Sequence, residues 1–243
     1  MTSILGIQCR DGIVIGADSM ITMRAAHGDI QLDGIKVHLL GERGIVAFAG
    51  DVGVSQSVLD HLETQWSLIA DAENKMEARE LILQSVQRAT GFQPGVPERP
   101  VERPDFACLV GLTIQNKPVL WMFMDTPPAR EARNGLYFLT AGSGQHFVFL
   151  FQKFLERIFW RGAAPSTISE GIFSAMWTLS HIIDANATLG IGGPPQIAVL
   201  EARAPDGDWH ARLLTASEFG EHQQQIQTLE SAMRQVKEVW SAG

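Results

Sequence analysis

The run Thr2-Ser-Ile-Leu-Gly-Ile-Gln-Cys-Arg-Asp-Gly-Ile-Val-Ile-Gly-Ala-Asp18 opens the chain with two apolar segments, 3–9 and 12–18, around Asp11-Gly12. Asp-Gly is a favoured two-residue hairpin turn, because both residues tolerate positive φ. The run therefore predicts a β-hairpin. Two more apolar runs, 34–40 and 43–50, follow, with Gly41 to Arg43 as their turn. Four closely connected strands predict an antiparallel sheet.

Beyond residue 50 the hydrophobic period changes. Val54, Val58, Leu62, Trp66 and Ile69 recur every three or four residues, which predicts a helix over 54–70, and a second is expected over 76–90. The segment 91–105 carries four prolines and reads as a surface insertion. Strands are expected at 106–114 and 118–124, around Gln115-Asn116-Lys117, and at 136–141. Two apolar helices are then expected over 144–160 and 167–184. The second is entered through Thr167 with Glu170 three residues on, a capping-box spacing. Strands return at 196–202 and 208–215. A last helix, 217–240, carries Ile226, Leu229, Met233, Val236 and Trp240 on one narrow seam. Strands grouped with strands and helices with helices predict a layered α+β structure. Two antiparallel sheets face to face with a helix pair outside each satisfy that order; the local patterns admit other α+β arrangements.

Hydrophobic residues make up 45% of the 243 and charged residues 19%, an ordinary globular balance. The net charge of −8 argues against nucleic acid as a partner, since phosphate binding needs clustered Lys and Arg. Cys9 and Cys108 lie in apolar, strand-like runs and read as buried reduced thiols. No run approaches the roughly 20 apolar residues that span a bilayer. No basic-then-hydrophobic segment opens the chain, so a cytoplasmic location is expected. The seven histidines show no metalloprotease spacing. Asp184-Ala-Asn186-Ala-Thr188 lacks the glycine and closing glutamate of a calcium loop. Gly190-Ile-Gly192-Gly193 lacks the Lys-Ser/Thr of a phosphate loop.

Thr2 follows Met1, and its small side chain permits methionine removal. An N-terminal threonine would combine a nucleophilic hydroxyl with a base, since a free α-amine has a pKa of about 8. On its own a Met-Thr start is arbitrary. Its company is not: Thr2-Ser-Ile-Leu-Gly-Ile, Arg10-Asp11-Gly12-Ile-Val, Gly16-Ala17-Asp18-Ser19, Asp33-Gly34-Ile-Lys36 and Ala47-Phe48-Ala49-Gly50-Asp51 occur in that order. The series resembles the opening of proteasome β subunits and the related HslV and Anbu peptidases. Gly142-Ser143-Gly144 and the later helices extend the resemblance over most of the chain. The Pro-rich insertion and long C-terminal tail resemble the betaproteobacterial proteasome homologue.

The resemblance implies one N-terminal-nucleophile hydrolase domain over 1–243, a four-layer αββα sandwich with 217–240 as a C-terminal helix extension. It implies Thr2 as nucleophile, Lys36 as the ammonium that favours its attacking form, Asp18 as the lysine's carboxylate, Gly50 as the oxyanion's backbone donor, and Ser143 as a partner of the α-amine. From the residues alone, Lys36 could equally face outward from a half-buried strand, Asp18 could serve a turn, Gly50 could end a strand, and Ser143 could cap a helix. The family places an aspartate three residues before a Ser-Gly-Gly turn; here Thr188 and Ile191 stand at those positions, and Asp184 lies four residues earlier. Ile21, Phe48 and Val52 match positions lining the pocket for the residue before the cleaved bond, where Phe48 would favour small or apolar side chains.

The implied activity is a self-compartmentalised threonine endopeptidase that needs no metal or organic cofactor. The implied assembly is a homo-oligomeric stacked double ring of seven subunits each, or of six, acting on peptides or unfolded proteins; an unfolding ATPase partner is left open. The terminal helix, by its seam, is expected to contribute to assembly. Two alternatives are carried: an amidase for a small metabolite with the same Thr2 chemistry, and a proteasome-like ring with little or no peptidase activity.

Overall fold

Two five-stranded antiparallel sheets lie face to face. The computed structural model describes residues 2–25, 28–91, 105–124, 128–133, 135–160, 167–186, 190–203 and 208–241. The strands are β1 (Ile4–Gln8), β2 (Gly12–Ala17), β3 (Met20–Ala25), β4 (Gly28–Asp33), β5 (Val37–Leu40), β6 (Gly44–Gly50), β7 (Phe106–Ile114), β8 (Lys117–Met124), β9 (Arg130–Glu131), β10 (Phe138–Ala141), β11 (Gln196–Ala202) and β12 (Trp209–Leu213). The helices are α1 (Val52–Ala70), α2 (Lys75–Thr90), α3 (Gln145–Leu155), α4 (Ile168–Asn186) and α5 (Ala216–Ser241). One sheet runs β10-β1-β2-β11-β12, the other β5-β6-β7-β8-β9, and β3-β4 stand apart as a two-stranded pair.

Strand periodicity sorts the side chains into layers. Ile13 and Ile15 of β2 meet Ile45 of β6 and Leu109 of β7 in the core between the sheets. Val14, on the opposite face, packs against Ile172 and Leu179 of α4. On the second sheet, Val46, Val110 and Trp121 pack against Leu62 of α1 and Ile82 of α2. Both sheets are thus covered on both faces, which is why their strands are nearly continuous apolar runs. The arrangement is the expected αββα sandwich, with α5 added on the α4 side.

Three local features differ from the sequence reading. Pairing of Gln8 with Ile13 puts Arg10-Asp11 at the hairpin tip, one residue earlier than Asp11-Gly12. Gly12 already belongs to β2, and a Cβ there would lie 2.1 Å from the Leu200 carbonyl oxygen of β11. Asp11 is drawn away: its Oδ1 accepts from the Ile168 N–H at 2.7 Å, at the start of α4. The β3-β4 pair was not anticipated, because it is not built on a buried stripe; Ile30 and Leu32 of β4 are about half exposed. The helix expected over 144–160 changes to a π-helical turn at Glu156–Trp160. Most of the 91–105 insertion lies outside the described residues.

Elsewhere local chemistry and structure agree. Thr167 and Glu170 form the expected reciprocal cap of α4. Thr215 and Glu218 do the same for α5. Burial alone would raise the Glu218 pKa, but Arg212 and Thr215 hold it down to about 2. The α5 seam begins on its own domain: Ile226 is buried and Leu229 packs beside it against the α4 layer. Cys9 and Cys108 are buried, and neither is in a disulfide.

The layering makes a stability prediction. Leu109, fully buried between the sheets, should cost about 2–5 kcal/mol on Leu109→Ala. Leu68, 62% exposed on α1, should cost no more than about 0.5 kcal/mol on Leu68→Ala. Urea unfolding of both variants checks the contrast; equal losses would contradict the layer assignment.

Candidate active site

Three side chains from three chain segments meet at one end of the inter-sheet core. Lys36 Nζ lies 3.1 Å from Thr2 Oγ1 and 3.0 Å from Asp18 Oδ1. The β1-β2 hairpin brings two of them together: register Ile4 to Ala17 puts residues 2–3 beside residue 18, and the Asp18 N–H donates to the Ser3 carbonyl at 3.2 Å. Lys36 comes from the second sheet. It sits just ahead of β5 rather than within a strand, so its side chain is not bound by strand alternation and can turn inward.

The ion pair is buried, with Lys36 6% and Asp18 0% exposed. Burial pushes the Lys36 ammonium below the ordinary lysine value, and the charge and hydrogen bond of Asp18 oppose that. Asp18 is itself well supplied with donors. Oδ1 also accepts from the Ser3 N–H at 2.8 Å, and Oδ2 from the Gly192 N–H at 3.3 Å. A charge removed from water needs such donors.

Two glycines shape the surroundings of Thr2. Gly50 has φ +107°, and a Cβ there would lie 1.8 Å from the Asp105 carbonyl oxygen. Gly142 has φ +92°, and its Cβ would lie 2.2 Å from the Thr2 carbonyl oxygen. Only glycine fits either place. Next to Gly142, Ser143 Oγ accepts from Thr2 N at 3.0 Å, and the Gly144 N–H donates to the Thr2 carbonyl at 3.2 Å. The start of α3 is therefore tied to the second residue of the chain.

Thr2, Lys36, Gly50 and Ser143 open onto one cleft of about 1040 Å³, which Ile21, Phe48 and Val52 also line. The structure thus brings the principal sequence candidates together with the three pocket residues. It does not bring Asp184, which is exposed near the end of α4. Thr188 lies outside the described residues. Ile191 is buried in the layer under the α4 helix, so its side chain offers Thr2 no polar group. Its neighbour Gly192 instead contributes backbone, donating to Asp18 and accepting from the Ser19 and Met20 N–H groups at 3.1 and 2.9 Å. Among the described residues, no group of three or more His, Cys, Asp or Glu side chains is placed to hold a metal ion.

Two residues escaped the sequence reading. Gln196 begins β11 in the first sheet, yet its Oε1 accepts from the Lys36 and Val37 N–H groups at 2.8 and 3.2 Å. Its Nε2 donates to the Gly34 carbonyl at 2.7 Å. One amide therefore ties the lysine segment of one sheet to the edge of the other. His38 lines the cleft with its ring edge-on to Phe48, centroids 5.8 Å apart. Burial lowers its pKa, against the opposing effects of the Ile35 backbone and Glu63.

Removing the carboxylate tests the electrostatics. Asp18→Asn leaves a buried ammonium without its counter-charge and should cost about 3 kcal/mol at pH 7. In that variant the folded-state lysine pKa falls below its unfolded value. Between the two values the unfolded chain binds more protons, so stability must rise with pH. Urea unfolding at pH 7 and pH 10 should show the deficit shrinking at the higher pH; a constant deficit would contradict the assignment.

Residues 1–92 match the family model described as proteasome subunit. No curated protein matches the chain. Among solved structures, Anbu (Gly-1 mutant) from Hyphomicrobium sp. strain MC1 is similar at TM-score 0.69 and 18% identity, covering 98% of this chain and 97% of that one. Anbu, described as an ancestral beta-subunit, from Yersinia bercovieri is similar at TM-score 0.68 and 16% identity, with 96% of each chain covered. Identities this low establish the fold, and the family match supplies the sequence link over the segment that carries Thr2, Asp18, Lys36 and Gly50. The first 92 residues thus match the proteasome subunit family model, and the whole chain is similar in fold to the Anbu structures.

Proposed function

We propose that the chain is a threonine endopeptidase subunit in which Thr2, once Met1 is removed, is the nucleophile. The observation that carries this reading is the position of Lys36 Nζ, 3.1 Å from Thr2 Oγ1 and fixed by buried Asp18. A positive charge there favours the alkoxide-like form of the hydroxyl. The free α-amine takes the hydroxyl proton as Oγ1 attacks the scissile carbonyl. The oxyanion forms toward the Gly50 N–H, the C–N bond breaks, and the departing amine leaves with the proton held by the α-amine. Water then cleaves the acyl-Thr2 ester with the α-amine again as base. Ser143 Oγ orients that amine.

The cleft has room for an extended substrate. At about 1040 Å³ it stands at the upper end of the range typical of small-molecule sites. Phe48 narrows the part beside Gly50 and favours small or apolar side chains before the cleaved bond. The assembly that fits this reading is a homo-oligomeric double ring of seven subunits each, or of six, enclosing the cleft. One observation favours a slow form of the same chemistry. The buried, apolar Ile191 stands where the family resemblance implies a serine, which leaves Ser143 to orient the amine.

Mass spectrometry of the mature protein should show Thr2 as the first residue. A peptide electrophile that requires both a hydroxyl and an α-amine on one residue should modify Thr2 in the native chain and leave Thr2→Ala unmodified. Lys36→Met should slow the modification by roughly 10²–10⁴-fold. Retention of Met1, or equal modification of Thr2→Ala, would overturn the proposal.

A further inference from the structure

Lys36 lies outside the β ladders. Regular pairing of β5 with β6 begins at Val37 with Ala47, and β5 is the edge of its sheet. The Lys36 carbonyl accepts from the Phe48 N–H at 3.0 Å, on the β6 side. The Lys36 N–H lies on the open edge, where its own sheet has no strand to receive it. The acceptor there is Gln196 Oε1, at 2.8 Å, and the same oxygen takes the Val37 N–H at 3.2 Å. Gln196 Nε2 donates to the Gly34 carbonyl at 2.7 Å, so one primary amide holds three backbone groups around the lysine. Gln196 has a fixed place of its own. It pairs with Ala17 on the β2-β11 ladder, the rung next to Asp18. The backbone of the lysine and the carboxylate that receives its ammonium are therefore both set from one rung of the first sheet.

We infer that Gln196 is the positioning residue of the site: it fixes the Lys36 backbone so that Nζ comes to rest against Thr2 Oγ1. This rests on Thr2 being the nucleophile. A lysine side chain is a flexible four-carbon stem, and the charge at its tip can sweep a wide volume unless the base of the stem is fixed. Asp18 restrains the tip at 3.0 Å and Gln196 the base. Held at both ends, the stem has few rotamers left that put Nζ 3.1 Å from Thr2 Oγ1. Apolar packing between the sheets cannot supply the same restraint, because it has no direction. The side-chain type matches the task. Glutamine carries an acceptor and a donor on one planar group, and the segment offers it two N–H groups and one carbonyl. A carboxylate in its place would set an acceptor against the Gly34 carbonyl, and a hydrocarbon would leave all three groups without this partner. Gln196 is not among the residues that line the cleft, so its influence on the reaction passes through the lysine.

The test compares the native chain, Gln196→Met, Lys36→Met and the double variant, each assembled and with Met1 removed, in their reaction with a peptide epoxyketone. That probe closes a ring on the hydroxyl and α-amine of one residue. Saturation kinetics separate its affinity from the maximal rate of modification. Gln196→Met should lower the maximal rate about 10–100-fold, the loss that a displacement of about 1 Å brings, and leave the affinity within about twofold. In the Lys36→Met background the same substitution should change the rate by less than about twofold, since the group it positions is gone. Gln196→Ala leaves room for water to satisfy the freed backbone groups; it should behave alike, and it carries the test should Gln196→Met fold poorly. A folding loss lowers the extent of modification, read by mass spectrometry, and leaves the rate of the folded fraction unchanged. A native maximal rate in the Gln196 variants, or the same loss with and without Lys36, would overturn the inference and leave the Thr2 reading standing. A native chain that the probe does not modify would overturn both.

Discussion

The ammonium of Lys36 held between Thr2 and Asp18 constrains the rest of the molecule. Burying a charge is costly, and the cost is met here by a carboxylate whose two oxygens take the ammonium, the Ser3 N–H and the Gly192 N–H. No single element could supply those groups. They come from the first residues of the chain, the end of β2, the segment before β5 and the connection into β11. Each must arrive within a few tenths of an ångström, and rigid sheets are what make that precision available. The sandwich is, in this sense, the scaffold of one ion pair.

The two sheets contribute unequally. The first carries Thr2 and Asp18 on adjacent antiparallel strands, so their proximity follows from hairpin register. The second carries Lys36, Phe48 and Gly50 near the ends of β5 and β6. A site that straddles two sheets needs a tie between them other than apolar packing, which is non-directional. Gln196 provides it: it is paired with Ala17 in the first sheet and hydrogen-bonded to residues 34, 36 and 37 of the second. Gly50 is pinned in a comparable way, since the next residue, Asp51, donates its N–H to the Asp105 carbonyl at 2.9 Å and then caps α1 through Val54.

The sequence announced the parts of this arrangement that repeat locally. Buried strands and amphipathic helices carry their periods in every turn, so the layers and most element bounds could be read directly. Thr2, Asp18, Lys36 and Gly50 were legible because short motifs occur in a fixed order around them. What stayed hidden depends on distant partners. A glutamine at a strand start has no pattern that distinguishes a bridge between sheets from a solvated side chain. The β3-β4 pair lacks a buried stripe, and its half-exposed Ile30 and Leu32 resemble a loop. The hairpin tip shifted by one residue because Asp11 is engaged by α4, a contact 157 positions away.

Helix α3 joins the site to the layer that covers it. At its start, Ser143 and Gly144 hold the nitrogen and carbonyl of Thr2; along its inner face, Gln152 fixes its position on α4 through Ser174 and Thr178; along its outer face, the apolar stripe of Phe147, Leu150 and Phe154 faces water. A helix fixed at one end by a catalytic candidate and on one side by a buried polar network has little freedom to turn its apolar face inward. Turning the stripe inward would require breaking the Gln152 contacts and releasing Thr2. A rotation of α3 that turned the stripe inward would therefore also displace the helix start that holds Thr2. The same rigidity that keeps the site in place keeps the outer face exposed.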